Sequence, residues 1–146
     1  MTNPPDTAMA RFDTGLNCAQ SVLVAFASQL GLDKSQALKM ASPFGGGISR
    51  RGEVCGAVTG ALMALGLALG SDTPAGKENT YQLGQDFLQR FEIKHGKILC
   101  RELIDIDIST PEGRQQASAR GVFTTLCPLF VRNATEIVES MLEKRP

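Results

Sequence analysis

Four cysteines, Cys18, Cys55, Cys100 and Cys127, are the residues of this chain best suited to chemistry. A thiolate is a nucleophile, a soft metal ligand and one half of a disulfide. None of the four belongs to a local C-x-x-C pair, the spacing from which zinc ribbons and fingers draw ligands. That disfavours a conventional zinc module. Each cysteine does fall near a predicted helix start, where unpaired backbone N–H groups and the helix dipole favour an anion. A bundle can bring four such distant helix ends around one site. Four converging thiolates would suit an iron–sulfur cluster or zinc. Two close pairs would suit reversible disulfide chemistry, and four unrelated buried thiols are the purely structural alternative.

The elements that must position these sulfurs are helical by pattern. Runs alternating with period two are few, and β-branched clusters are rare. The apolar spacing predicts helices over 17–30, 34–41, 77–94, 97–104, 110–119 and 128–143, with another beginning within 51–54 and ending at Gly70. Asn17 and Asp33 are the caps of the first two, Asp33 forming a capping box with Gln36. Thr110-Pro111 is a cap followed by proline at the first helical position. Residues 77–94 present Tyr81, Gly84, Leu88 and Phe91 on one face, and residues 128–143 present Phe130, Ala134, Ile137 and Met141. Residues 1–12 read as a loose N-terminal arm, because Pro4-Pro5 opposes regular structure. "DIDIST" at 105–110 reads as a loop.

Residues 44–70, "FGGGISRRGEVCGAVTGALMALGLALG", carry the densest signal. They lack the Lys-Ser or Lys-Thr that closes a phosphate loop and the third glycine of a dinucleotide fold. Residues 54–71 bear no charge, a length near the minimum for a membrane span. Four glycines and a threonine lower the hydropathy of that run, and no aromatic belt flanks it. A central helix buried on all sides in a bundle fits better. Gly56, Gly60 and Ala64 form a small-residue groove into which another helix can pack closely.

Other candidates carry blander alternatives. His95, the one histidine, could protonate or ligate near Cys100, or simply end a helix in solvent. Arg50 and Arg51 could offset thiolate charge across the 45–47 turn, or be solvated loop residues. Glu53 reads as a cap of the central helix ahead of a proton relay to Cys55. No Ser/His/Asp arrangement or carboxylate spacing argues for acid–base catalysis.

The length of 146 residues suits one domain, 1–146. Fifteen basic and fifteen acidic side chains leave no net charge, and so no electrostatic reason for a nucleic-acid partner. Tryptophan is absent and there is one tyrosine, which disfavours base-stacking platforms. The N-terminus lacks the regions of a signal peptide. A cytoplasmic protein is expected, with cysteines that are reduced, metal-bound or transiently oxidised.

The chain resembles the redox-active proteins named for the pattern C-GCAxxG-C-C. The matching segments are "GLNCAQSVLVAF" at 15–26, "FGGGISRRGEVCGAVTGALMALGL" at 44–67, "HGKILCREL" at 95–103 and "LCPLFVRNATEIV" at 126–138. The family's middle motif is here Cys55-Gly56-Ala57-Val58-Thr59-Gly60. The resemblance implies a small helical protein whose four cysteines act together in a redox or metal-cofactor role. Family members are often encoded near transporter or redox genes. A related domain occurs in a cytochrome thought to carry an iron–sulfur cluster.

The expectation is therefore an all-α, compact bundle of about five to seven helices around a central glycine/alanine-rich helix. Cys18, Cys55, Cys100 and Cys127 are its candidate metal and cofactor ligands. A [2Fe–2S] cluster for electron transfer comes first and zinc second. The alternatives are a metal-free thiol–disulfide redox protein and a structural helical adaptor with incidental cysteines. A redox partner, association with a transporter system and a homodimer built on the glycine-lined helix complete the expectation.

Overall fold

Asn17 and Gln20 set the first landmark. The Asn17 side chain accepts the Gln20 backbone N–H at 2.8 Å, and the Gln20 side chain accepts that of Asn17 at 3.0 Å. This reciprocal box starts helix α2, Cys18–Ala27, and places Cys18 in its first turn. The chain is described here from a computed structural model covering residues 3–144.

Helix α1, Pro4–Asp13, precedes α2. This corrects the loose arm expected over 1–12, of which residues 1 and 2 lie outside the described residues. The prolines occupy the first helical positions, where an N–H is unpaired anyway. Asn3 caps them by accepting the Asp6 N–H at 2.9 Å. Helix α3, Lys34–Ala41, is capped by Asp33, which accepts the Gln36 N–H at 3.0 Å, but among the described residues Gln36 makes no return bond, so the predicted capping box is only half formed. The single turn α4, Gly45–Ile48, leads to the central helix α5, Gly56–Leu69.

Helix α5 has no charged residue and buries Ala57, Val58, Ala61, Ala64 and Leu65. Its groove of small residues receives α2. A Cβ added to Gly60 would stand 2.6 Å from the Ala19 carbonyl oxygen. The two backbones thus approach as closely as the sequence predicts. No helix among the described residues is long and apolar enough to cross a membrane.

The long helix α6, Lys77–His95, packs through Leu83, Phe87 and Phe91. Of the predicted face only Phe91 is fully buried, and Tyr81 is exposed. The stripe is rotated because the two phenylalanines, four residues apart, bury more apolar surface than Tyr81 and Gly84. Two single turns, α7 at Cys100–Leu103 and α9 at Val122–Thr125, flank α8, Pro111–Ala119. Between α7 and α8, "DIDIST" is irregular, yet Ile104, Ile106 and Ile108 all point into the core.

Helix α10, Cys127–Glu143, closes the bundle against α1, α5 and α2. Phe130, Ala134 and Met141 are buried as predicted, and Ile137 is partly so. Thr135, buried in the same face, donates its hydroxyl to the Val131 carbonyl at 2.7 Å. The architecture is all-α, with the glycine/alanine-rich helix at its centre.

Candidate functional site

All four cysteines stand at helix starts. Cys18, Cys100 and Cys127 are the first residues of α2, α7 and α10, and Cys55 is the N-cap of α5. The fold brings these ends to one place. The four residues line a single cavity of about 330 Å³, whose remaining walls are mostly apolar and include Phe12, Leu16, Leu103 and Phe123. Cys55, Cys100 and Cys127 are buried, Cys18 is partly exposed, and all four are free thiols.

Cys55 and Cys100 are held by one piece of antiparallel backbone. Val54 and Leu99 form an isolated bridge. On either side of it, the Cys55 N–H donates to the Ile98 carbonyl at 2.8 Å and the Cys100 N–H to the Glu53 carbonyl at 2.6 Å. Glu53 therefore lies on this bridge and is not the cap of α5, correcting the sequence expectation. Its carboxylate pairs with Arg51 at 3.1 Å on the surface.

A turn of unusual handedness packs on this bridge. Five consecutive residues, 46–50, have φ of +65°, +65°, +65°, +51° and +66°. Ile48, Ser49 and Arg50 are not glycine, and a left-handed conformation costs each about 1–2 kcal/mol. The backbone groups of the turn are tied down: the Glu53 N–H donates to Gly47 at 2.8 Å and the Gly52 N–H to Gly46 at 3.1 Å. Gly47 is pressed against Cys100. Gly56 plays the same part for Cys18, since a Cβ there would stand 3.1 Å from the Cys18 Cβ.

Electrostatics separates the four thiols. Burial pushes Cys55 up to about 12, although the N–H groups of Ala57 and Val58 favour its thiolate. Burial pushes Cys100 up to about 11, helped by the negative charge that Cys127 would carry. Interaction with Cys127, and after it burial, hold the Cys18 proton on, while interaction with Cys18 lowers Cys127 below the usual thiol range. Helix starts alone predict four acidified thiols. Desolvation reverses that at Cys55 and Cys100, because a charge out of water costs more than one helix end returns, and at Cys18 the interaction with Cys127 reverses it ahead of burial.

Among the described residues, no three His, Cys, Asp or Glu side chains converge closely enough to hold one metal ion. A tetrahedral zinc with sulfurs at about 2.3 Å needs those sulfurs within roughly 3.8 Å of one another. Here the sulfurs wall a cavity instead of meeting at a point.

The remaining candidates fall outside that cavity. His95 ends α6, with its ring 4.6 Å from that of Phe91 and 5.0 Å from that of Phe130. Among the described residues its buried Nε2 has no hydrogen-bond partner, and desolvation holds its pKa below the usual value. Arg51 is an exposed ion-pair residue. Arg50 lines a second, adjoining cavity. The aromatic walls Phe12, Phe123 and Phe130 carry no signal in the sequence beyond being apolar.

A family model described as "Putative redox-active protein (C_GCAxxG_C_C)" matches residues 16–141. No curated protein and no solved structure matches the chain.

Proposed function

Since the chain belongs to the C_GCAxxG_C_C family of redox-active proteins, we propose that Cys18, Cys55, Cys100 and Cys127 form a redox centre that holds an iron–sulfur cluster for electron transfer. A [2Fe–2S] cluster is the first choice. The observation that carries this reading is the shared cavity: four sulfurs line one space of about 330 Å³, larger than a single ion needs. Four thiols are also the usual donor set of such clusters.

The protein residues have definite work in this reading. The cluster, when bound, supplies a one-electron couple, and coordination to its iron deprotonates the thiols that burial keeps neutral. The N–H groups of Ala57 and Val58 favour negative charge on Cys55. The apolar walls exclude water, and the close backbone at Gly47 and Gly56 fixes where Cys100 and Cys18 stand. Such surroundings tune a reduction potential. Anaerobic purification with absorption spectra and iron and sulfide analysis tests the proposal. A protein that stays colourless and iron-free after reconstitution overturns it.

A metal-free reading is favoured by the unequal pair that Cys18 and Cys127 make in the shared cavity, the first held protonated and the second lowered by their interaction. In it, the Cys127 thiolate attacks an external disulfide and releases one thiolate. Cys18 then attacks the mixed disulfide at Cys127, giving up its proton and releasing the second thiolate. Two protein thiols are oxidised and one external disulfide is reduced. Quantifying free thiols before and after incubation with such a disulfide separates the readings, because this one requires loss of Cys18 and Cys127 together.

A further inference from the structure

A second cavity, of about 670 Å³, lies against the cysteine cavity and shares Asn17, Gly46, Ile108 and Phe123 with it. Arg50 and Arg114 stand in its lining, and among the described residues no acidic side chain does. Among the described residues neither arginine forms an ion pair. We propose that this cavity is an anion-binding vestibule, which holds the carboxylate or phosphate group of a small molecule whose remainder reaches the four sulfurs. The inference rests on the redox reading for what the ligand does there, and on the cavity itself for its binding.

Three observations argue that the arginines are placed for this. Arg50 sits at the end of the left-handed turn, at φ +66°. Strain of that kind persists where the surrounding structure enforces it, and it is concentrated at functional sites. Gly46 makes room for the arginine stem, since a Cβ there would stand 2.9 Å from the Arg50 Cγ. Arg114 is anchored by one donor to the Ile108 carbonyl at 3.1 Å, which leaves the rest of its guanidinium for a ligand. A guanidinium offers five N–H donors in a planar fork that matches carboxylate and phosphate. The volume is that of a small-molecule pocket, which argues for a compact anion over an extended acidic surface.

The test uses the reduced, metal-free protein, so its outcome does not depend on cluster assembly. Iodoacetate carries a carboxylate, and iodoacetamide is its neutral analogue. The iodoacetate-to-iodoacetamide rate ratio at Cys127, mapped by mass spectrometry, should exceed that of free cysteine by about tenfold. Succinate or inorganic phosphate should suppress the iodoacetate arm. Suppression by succinate alone assigns a carboxylate ligand, and suppression by phosphate alone a phosphoryl one. Arg50→Gln should lower the ratio, Arg50→Gln with Arg114→Gln should bring it to that of free cysteine, and Arg50→Lys should keep part of it. The Arg50 side chain makes no hydrogen bond within the described residues, so the single variant does not threaten the fold. A ratio unmoved by these substitutions, no protection by either anion, or no reaction at Cys127 overturns the vestibule. Failure of the cluster proposal would show separately, as a colourless reconstituted wild-type protein.

Discussion

Gly47 and Cys100 approach so closely that a Cβ added to the glycine would stand 2.6 Å from the Cβ of Cys100. The same Cβ would stand 2.7 Å from the backbone nitrogen and oxygen of Glu53, and Gly47 has a φ of +65°. The turn is therefore keyed into the bridge that carries Cys100.

Gly47→Ala should destabilise the protein by at least about 2 kcal/mol, because left-handed strain and overpacking act together. Gly96→Ala is the control. That residue caps α6 at φ +82° with nothing within 4 Å of an added Cβ, so the backbone cost of about 1 kcal/mol stands alone. Urea midpoints measure both. Equal losses would contradict the close packing of turn and bridge.

Two glycines of α5 should respond in opposite directions to alanine. Gly60→Ala drives a methyl into the backbone of Ala19 and should cost about 1–3 kcal/mol. Gly66 is exposed, with open space where its Cβ would be. Gly66→Ala should stabilise by about 0.5–1 kcal/mol, since it removes unfolded-state freedom. Thermal unfolding decides, and a stabilising Gly60→Ala would mean that α2 and α5 are not in contact there.

The thiols should react in a fixed order in the reduced, metal-free protein. Cys127, lowered by its interaction with Cys18, has the largest thiolate fraction at any neutral pH. Cys55, raised to about 12 by burial, has among the smallest. Time-resolved alkylation with peptide mapping should show Cys127 first and Cys55 far behind. Cys18→Ala removes that partner, so the midpoint of the Cys127 rate–pH profile should move up. An unmoved profile would refute the interaction of the two thiols.

His95 should make the fold acid-sensitive. Its folded pKa is lowered from 6.5, chiefly by desolvation, with Asn133 opposing the shift. The unfolded chain therefore binds this proton first. The stability is present above the unfolded pKa of about 6.5 and is lost as pH falls through the lower folded value. Urea unfolding between pH 8 and pH 5 should show that slope, reduced in His95→Phe, which keeps an aromatic ring between Phe91 and Phe130. A slope identical in the variant would place the acid sensitivity elsewhere.

What lay within a few residues was legible in the sequence. Asn17, Asp33 and Thr110-Pro111 announce helix starts because caps are local hydrogen bonds, whereas the return bond from Gln20 to Asn17 emerged only in the structure. The uncharged run through α5 announces burial, and its small residues announce a close neighbour. The position of each cysteine at a helix start follows from the same local signals. Pro4-Pro5 misled, because the same two residues oppose a helix interior and favour a helix start, and Asn3 decides between the two.

Tertiary structure decided what these positions mean. That four helix ends face one cavity depends on the Val54–Leu99 bridge and on α10 folding back over α2, contacts distant in sequence. The left-handed sense of residues 46–50 could not be read from Ile48, Ser49 and Arg50, which on their own prefer negative φ. Packing against Cys100 and Glu53 imposes it. The acidity of each thiol was equally hidden. A helix start is a local property of the chain, whereas desolvation is set by everything that packs around the sulfur, and at Cys55 and Cys100 the second outweighs the first.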